Sequence, residues 1–127
     1  MPLEELYEKL VEKAKEKNWK IEEALTGEQL PASITKFVRL SKVSISNRYE
    51  AKIIAEFKEE GTVECLYSVW ERKENTKEFK EGATTRNDII KFALREEEKI
   101  ENYIVKLMDE LNEKYFKGQF TRIRSKT

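Results

Sequence analysis

Residues Tyr49–Glu71 read YEAKIIAEFKEEGTVECLYSVWE. In the first half, Tyr49, Ala51, Ile53, Ala55 and Phe57 alternate with Glu50, Lys52, Ile54, Glu56 and Lys58. In the second, Val63, Cys65, Tyr67 and Val69 alternate with Thr62, Glu64, Leu66, Ser68 and Trp70. A period of two on both sides of Glu59-Glu60-Gly61 predicts an antiparallel hairpin with one apolar face. A slip of one residue would send one strand's apolar set to the wrong side, so the register is constrained. Pairing Lys58 with Thr62 places Phe57 opposite Val63, Ala55 opposite Cys65 and Ile53 opposite Tyr67. It also leaves Gly61 free to take a left-handed loop position. The other face carries Ile54, Leu66 and Trp70, an apolar set for a sheet face that meets water.

On the N-terminal side, a helix is expected over about Leu3–Lys17, with Pro2 at its first position, where a missing N–H costs nothing. Leu3, Leu6, Tyr7, Leu10 and Ala14 form its stripe. Asn18 is placed to stop it in a left-handed conformation, and Trp19 and Ile21 begin a short strand or a further turn. Residues 26–33 read as loop. The run Ile34–Ser46 reads as a strand, with Ser46-Asn47-Arg48 turning it so that Ile45 faces Tyr49. Strict alternation in that register drives Ser41 and Arg39 into the core. A bulge near Ser41-Lys42 would admit Leu40 and Val38 instead. The alternative is a short helix starting at Pro31.

On the C-terminal side, 71–82 is polar. Thr85 and Asp88 have the spacing of a capping box, and a long helix is expected from there to about Tyr115. Its seam is Ile89, Ala93, Ile100, Ile104, Leu107 and Leu111, near heptad spacing and interrupted by Glu97. About thirty helical residues span roughly 45 Å, against a domain diameter of about 36 Å. Either the helix breaks near Glu96–Glu98, or one end projects and needs a partner, the simplest being a second copy. Phe120–Arg124 is either a last strand or part of a basic tail over 118–127. The expected class is therefore α+β: one domain over 1–127, with an antiparallel three- to four-stranded sheet between an N-terminal helix and a long C-terminal helix, in α-β-β-β-α order.

Composition narrows the function. Of 127 residues, 39% are charged, yet Lys+Arg and Asp+Glu balance at 25 each, so no global field points to nucleic acid or membrane. No apolar run reaches spanning length. The N-terminus lacks the pattern of a secretory signal. One cysteine, Cys65, excludes an internal disulfide. These features lead us to expect a cytoplasmic protein without a membrane association. There is no histidine, which removes the commonest bases, metal ligands and triads. The four glycines are scattered, so no phosphate loop is formed. No cofactor is expected.

Ile53-Ile54-Ala55-Glu56-Phe57-Lys58 is an apolar strand ending in Glu-x-Lys, and resembles the PD-(D/E)xK nuclease core. The resemblance implies that Glu56 helps hold Mg²⁺ and that Lys58 stabilises the attacking water. That family also needs an acid on the preceding strand, and the two aspartates here are Asp88 and Asp109, both in the expected long helix.

Charge is segregated along the chain. Lys36, Arg39, Lys42 and Arg48 occur over 34–49 without an acid, and Lys114, Lys117, Arg122, Arg124 and Lys126 do so over the last fourteen residues. Aromatics interleave with both stretches, and such mixtures bind phosphates and stack bases. Solubilising an edge strand is the plainer use of such cations. The element order, with these basic stretches, looks like the Alu-RNA-binding proteins of the signal recognition particle and, more loosely, double-stranded-RNA-binding domains. Thr84-Thr85-Arg86-Asn87-Asp88 lacks the basic run with which the latter open their second helix.

Two functional expectations result. The first is a non-enzymatic protein-interaction module, self-association included, using Ile54, Leu66 and Trp70 with Ile100, Ile104, Leu107 and Leu111. The second is a nucleic-acid module using Lys36, Arg39, Lys42, Arg48, Lys117, Arg122, Arg124 and Lys126. A nuclease remnant at Glu56-x-Lys58 comes third.

Overall fold

A computed structural model describes residues 2–22, 34–72 and 83–116. The elements run α1 Pro2–Glu16, β1 Lys20–Ile21, β2 Ile34–Val43, β3 Tyr49–Lys58, β4 Thr62–Glu71, β5 Ala83–Ala93 and α2 Glu97–Tyr115. The class is α+β as expected. The strands form one antiparallel sheet in the order β1-β2-β3-β4-β5, so the described residues hold five strands and not three or four.

The central hairpin has the register that apolar matching requires. Phe57 faces Val63, Ala55 faces Cys65 and Ile53 faces Tyr67. Gly61 takes φ 87°, and its N–H donates to the Lys58 carbonyl at 3.0 Å. Asn18 ends α1 with φ 63°.

Both helices cover the same face of the sheet. They contact each other, and Lys17 Nζ lies 2.7 Å from Asp109 Oδ1 between them. Leu6, Leu10 and Ala14 of α1 join Ile100, Ile104, Leu107, Met108 and Leu111 of α2 over Val38, Leu40, Ala51, Ile53, Ala55, Phe57, Val63, Cys65, Tyr67 and Val69 in a single core. Trp19 and Phe116 close one end edge-to-face, with ring centroids 5.9 Å apart.

Two expectations are corrected. Residues 83–93 are a strand, not the start of a helix. The Thr85–Asp88 spacing starts no helix there, because the segment lines β4 from Glu71 to Thr62. The β-branched and aromatic residues Ile89, Ile90 and Phe92 suit a pleated surface, and the strand's pairing satisfies β4's backbone groups. The interruption at Glu97 is in fact a boundary, since α2 begins there. At 19 residues it spans about 28 Å and has no need to project.

The second correction concerns β2. Val43 pairs with Glu50 and Lys42 with Ala51, and no irregularity falls at Ser41–Lys42; the register shifts instead between Ile34 and Lys36. The turn is longer than Ser46-Asn47-Arg48. The Ser44 N–H donates to the Tyr49 carbonyl at 2.9 Å, and Ser44 Oγ accepts the N–H groups of Arg48 and Tyr49, both at 3.0 Å. Asn47 sits at φ 60°. This turn sets a phase one residue away from that of strict alternation, so the core residues are those the bulged reading expected, without a bulge at Ser41–Lys42. Val38 and Leu40 enter the core, Val43 and Ile45 turn out to solvent, and Lys42 points inward. The expected loop at 26–33 and the tail at 118–127 lie outside the described residues.

Candidate interaction surface

With both helices on one side, the opposite sheet face is built from the alternate residues of each strand. Directly paired residues in an antiparallel sheet share a face, so the registers give rows across it. One row runs Arg39, Ile54, Leu66, Ile89. The row beside it runs Ser41, Lys52, Ser68, Asn87. Beyond that lie Val43, Glu50 and Trp70, and on the other side Phe37, Glu56, Glu64 and Lys91. Among the described residues no helix lies on this face.

The two central rows line a shallow depression of about 430 Å³ over β3, β4 and β5. Its floor is apolar at Ile54, Leu66 and Ile89, with Lys52, Ser68 and Asn87 along one side. Ile54 and Leu66 are half-buried. Ile89, at the β5 edge, is 56% exposed, a large share for an isoleucine with apolar neighbours in its row. Trp70 flanks the depression, its indole N–H donating to Ser68 Oγ at 3.0 Å.

Of the interface residues read from the sequence, Ile54, Leu66 and Trp70 therefore lie together. Ile100, Ile104, Leu107 and Leu111 lie inside the core instead, because α2 spends its apolar stripe on the sheet. Ile89 was not in the expected set for this face; Asn87, Ile89 and Lys91 do not alternate in polarity with Asp88, Ile90 and Phe92, so a period of two gave no signal and the helix-like spacing to Ala93 and Ile100 prevailed.

The basic residues are not gathered. Lys36 lies on the helix-covered side, with Nζ 4.0 Å from the Tyr7 ring centroid. Arg39 is on the open side, 3.6 Å from Glu22 and stacked on Phe37. Arg48, at the turn, lies 2.7 Å from Glu71; the hydrogen bond to that carboxylate holds its pKa above the usual value. Lys117, Arg122, Arg124 and Lys126 lie outside the described residues.

Lys42 is the most changed by the fold. It is 9% exposed. Its ammonium donates to the Lys17 carbonyl at 3.1 Å and to Asn112 Oδ1 at 2.8 Å, near the rings of Trp19 and Phe116. Desolvation lowers its pKa from 10.5 to about 8.

Glu56 and Lys58 share the open face, but Glu56 faces Glu64, and Lys58 Nζ is 3.9 Å from Glu64 Oε1. Asp109 is engaged with Lys17, and Asp88 lies on the other face, opposite Tyr67. No cluster of three metal-ligating side chains occurs among the described residues. Cys65 is fully buried, and desolvation pushes its thiol up to about 12, away from nucleophilic use.

A second, smaller cleft lies between β5 and α2. There Arg86 reaches Glu110 at 2.7 Å, and its Nε donates to the Tyr67 hydroxyl at 2.7 Å. The Glu110 contact ties α2 to the sheet, and the Tyr67 contact joins β5 to β4.

No helix among the described residues is long and apolar enough to cross a membrane. The chain matches no protein-family model, no curated protein and no solved structure.

Proposed function

We propose that this chain is a non-enzymatic protein-interaction module that works through the open face of its sheet and the β5 edge. The observation that carries the reading is the row Ile54–Leu66–Ile89, which crosses three strands on the side away from both helices and ends at an exposed edge isoleucine. An apolar row with a polar margin suits an extended or amphipathic protein segment, with the row binding side chains and the margin setting orientation.

The test is a phage-displayed peptide selection on the wild-type chain, with counter-selection on Leu66→Lys after its fold is checked by circular dichroism. The reading expects peptides with alternating apolar residues that lose at least about tenfold in affinity on the variant, equal to about 1.4 kcal/mol. An empty selection, or peptides that bind both proteins equally, would count against it.

A further inference from the structure

Among the described residues the open row ends at a strand edge, and that edge has a phase that can be read. The Leu94 N–H donates to the Gly61 carbonyl at 2.8 Å, toward β4. Hydrogen-bonding direction alternates along a strand, so Asp88, Ile90 and Phe92 also bond toward β4, while Asn87, Ile89, Lys91 and Ala93 present theirs outward. Two contacts agree with this phase. The Ala93 N–H is taken by Glu96 Oε1 at 3.0 Å, and the Ile89 N–H by Asp88 Oδ1 at 2.8 Å. The strand is 11 residues long, whereas β1 at the opposite edge has two. A long edge with outward backbone groups is a template for another strand.

We infer that the occupant of this edge is a second copy of the chain, paired antiparallel through β5 about a two-fold axis normal to the sheet. The inference rests on the interaction reading above and names its partner. Such an axis keeps the same face up in both copies, so paired residues share parity. Centring the axis on Asp88 sets two carboxylates against each other. Centring it on Ile90 puts Ile89 opposite a lysine, the Lys91 of the other copy. Centring it on Ile89 sets Ile89 against its counterpart, Asn87 against Lys91 and Asp88 against Ile90. The apolar row then continues as Ile54–Leu66–Ile89 and, in the second copy, Ile89–Leu66–Ile54, within one ten-stranded sheet. Only the central register leaves no like charges opposed and no break in the row.

Asp88 acts as the latch. In the single chain its carboxylate occupies the N–H that Ile89 must exchange with its counterpart, so pairing has to displace it. Removing that carboxylate strengthens association.

The test is sedimentation velocity on the full chain over roughly 10–500 µM, a range that reveals dissociation constants near 100 µM. The wild type is expected to dimerise within it. Ile89→Lys should stay monomeric, and Asp88→Ala should dimerise at several-fold lower concentration. In mixed-isotope dimers, a filtered NOE should join Asp88 Hα of one copy to Ile90 Hα of the other, the close contact of a non-hydrogen-bonded pair. A chain that is monomeric throughout even as Asp88→Ala, or a dimer indifferent to Ile89→Lys, overturns the inference. If selected peptides still bind in a Leu66-dependent way, the interaction module stands with a different partner; if they also fail, both readings fall.

Discussion

Lys42 Nζ donates to Asn112 Oδ1 at 2.8 Å across 70 residues of sequence, joining β2 to the last turns of α2. The same Asn112 oxygen accepts the Trp19 indole N–H at 3.1 Å, and its Nδ2 donates to the Lys17 carbonyl at 3.3 Å. That carbonyl sits at the end of α1, where helical carbonyls lack intrahelical partners and a cation is favoured. One lysine and one asparagine thus tie both helices to the sheet. Asn112→Leu leaves the buried ammonium with one fewer acceptor and should cost about 1.5–3 kcal/mol, the range for hydrogen bonds to charged groups. Urea denaturation measures it; a loss below about 0.5 kcal/mol would place the contact among ordinary surface substitutions.

The same site sets a pH dependence. Lys42 titrates near 8 in the fold against 10.5 when free. Between those values the unfolded chain binds more protons, so stability rises with pH as the buried charge is relieved. Cys65 works the other way. Its pKa rises from 9.0 to about 12 on folding, so its contribution is lost as pH climbs above 9. Comparing wild type with Lys42→Met cancels the thiol. The stability difference between the two, measured by urea denaturation at pH 7 and at about pH 9, should shift in favour of the wild type at the higher pH. A difference that stays flat would mean the ammonium is not desolvated.

Ile53 is 1% exposed and lies between Leu40 and Tyr67 in the sheet. Ile53→Ala should cost about 2–5 kcal/mol through lost transfer energy and a residual cavity. An unchanged Tm would mean that the hairpin register is wrong.

Amide hydrogen exchange separates a β5 strand from a helix over the same residues. In the strand, Asp88, Ile90 and Phe92 should exchange slowly, and Asn87 and Lys91 quickly, at low protein concentration. A helix would instead protect a contiguous run. Slowing at Asn87 and Lys91 as concentration rises would report strand pairing at the edge.

Local pattern alone determined the centre of this protein. The alternation over 49–71 dictated the hairpin, its register and the left-handed Gly61, because a period of two admits one apolar face and one pairing. The 3.6-residue spacing of Leu6, Leu10 and Ala14 likewise marked α1, and Asn18 its end. Ile54, Leu66 and Trp70 could be placed on the other sheet face for the same reason.

What tertiary structure decided lies where two periods fit the same residues, or where phase comes from a turn. Ile89, Ala93 and Ile100 fit a helical seam as well as 83–93 fits a strand, and the choice rests on β4, which needs a neighbour for its backbone groups. The phase of β2 was set by Ser44 holding the N–H groups of Arg48 and Tyr49, a contact invisible to hydrophobic periodicity. That single residue of phase moved Lys42 from a presumed phosphate contact into the interior. The side on which the two helices lie cannot be read from either stripe, since an apolar stripe says only that something is covered. It is their contact with each other, through Lys17 and Asp109 and the core between them, that puts both on one face and leaves the row from Ile54 to Ile89 open.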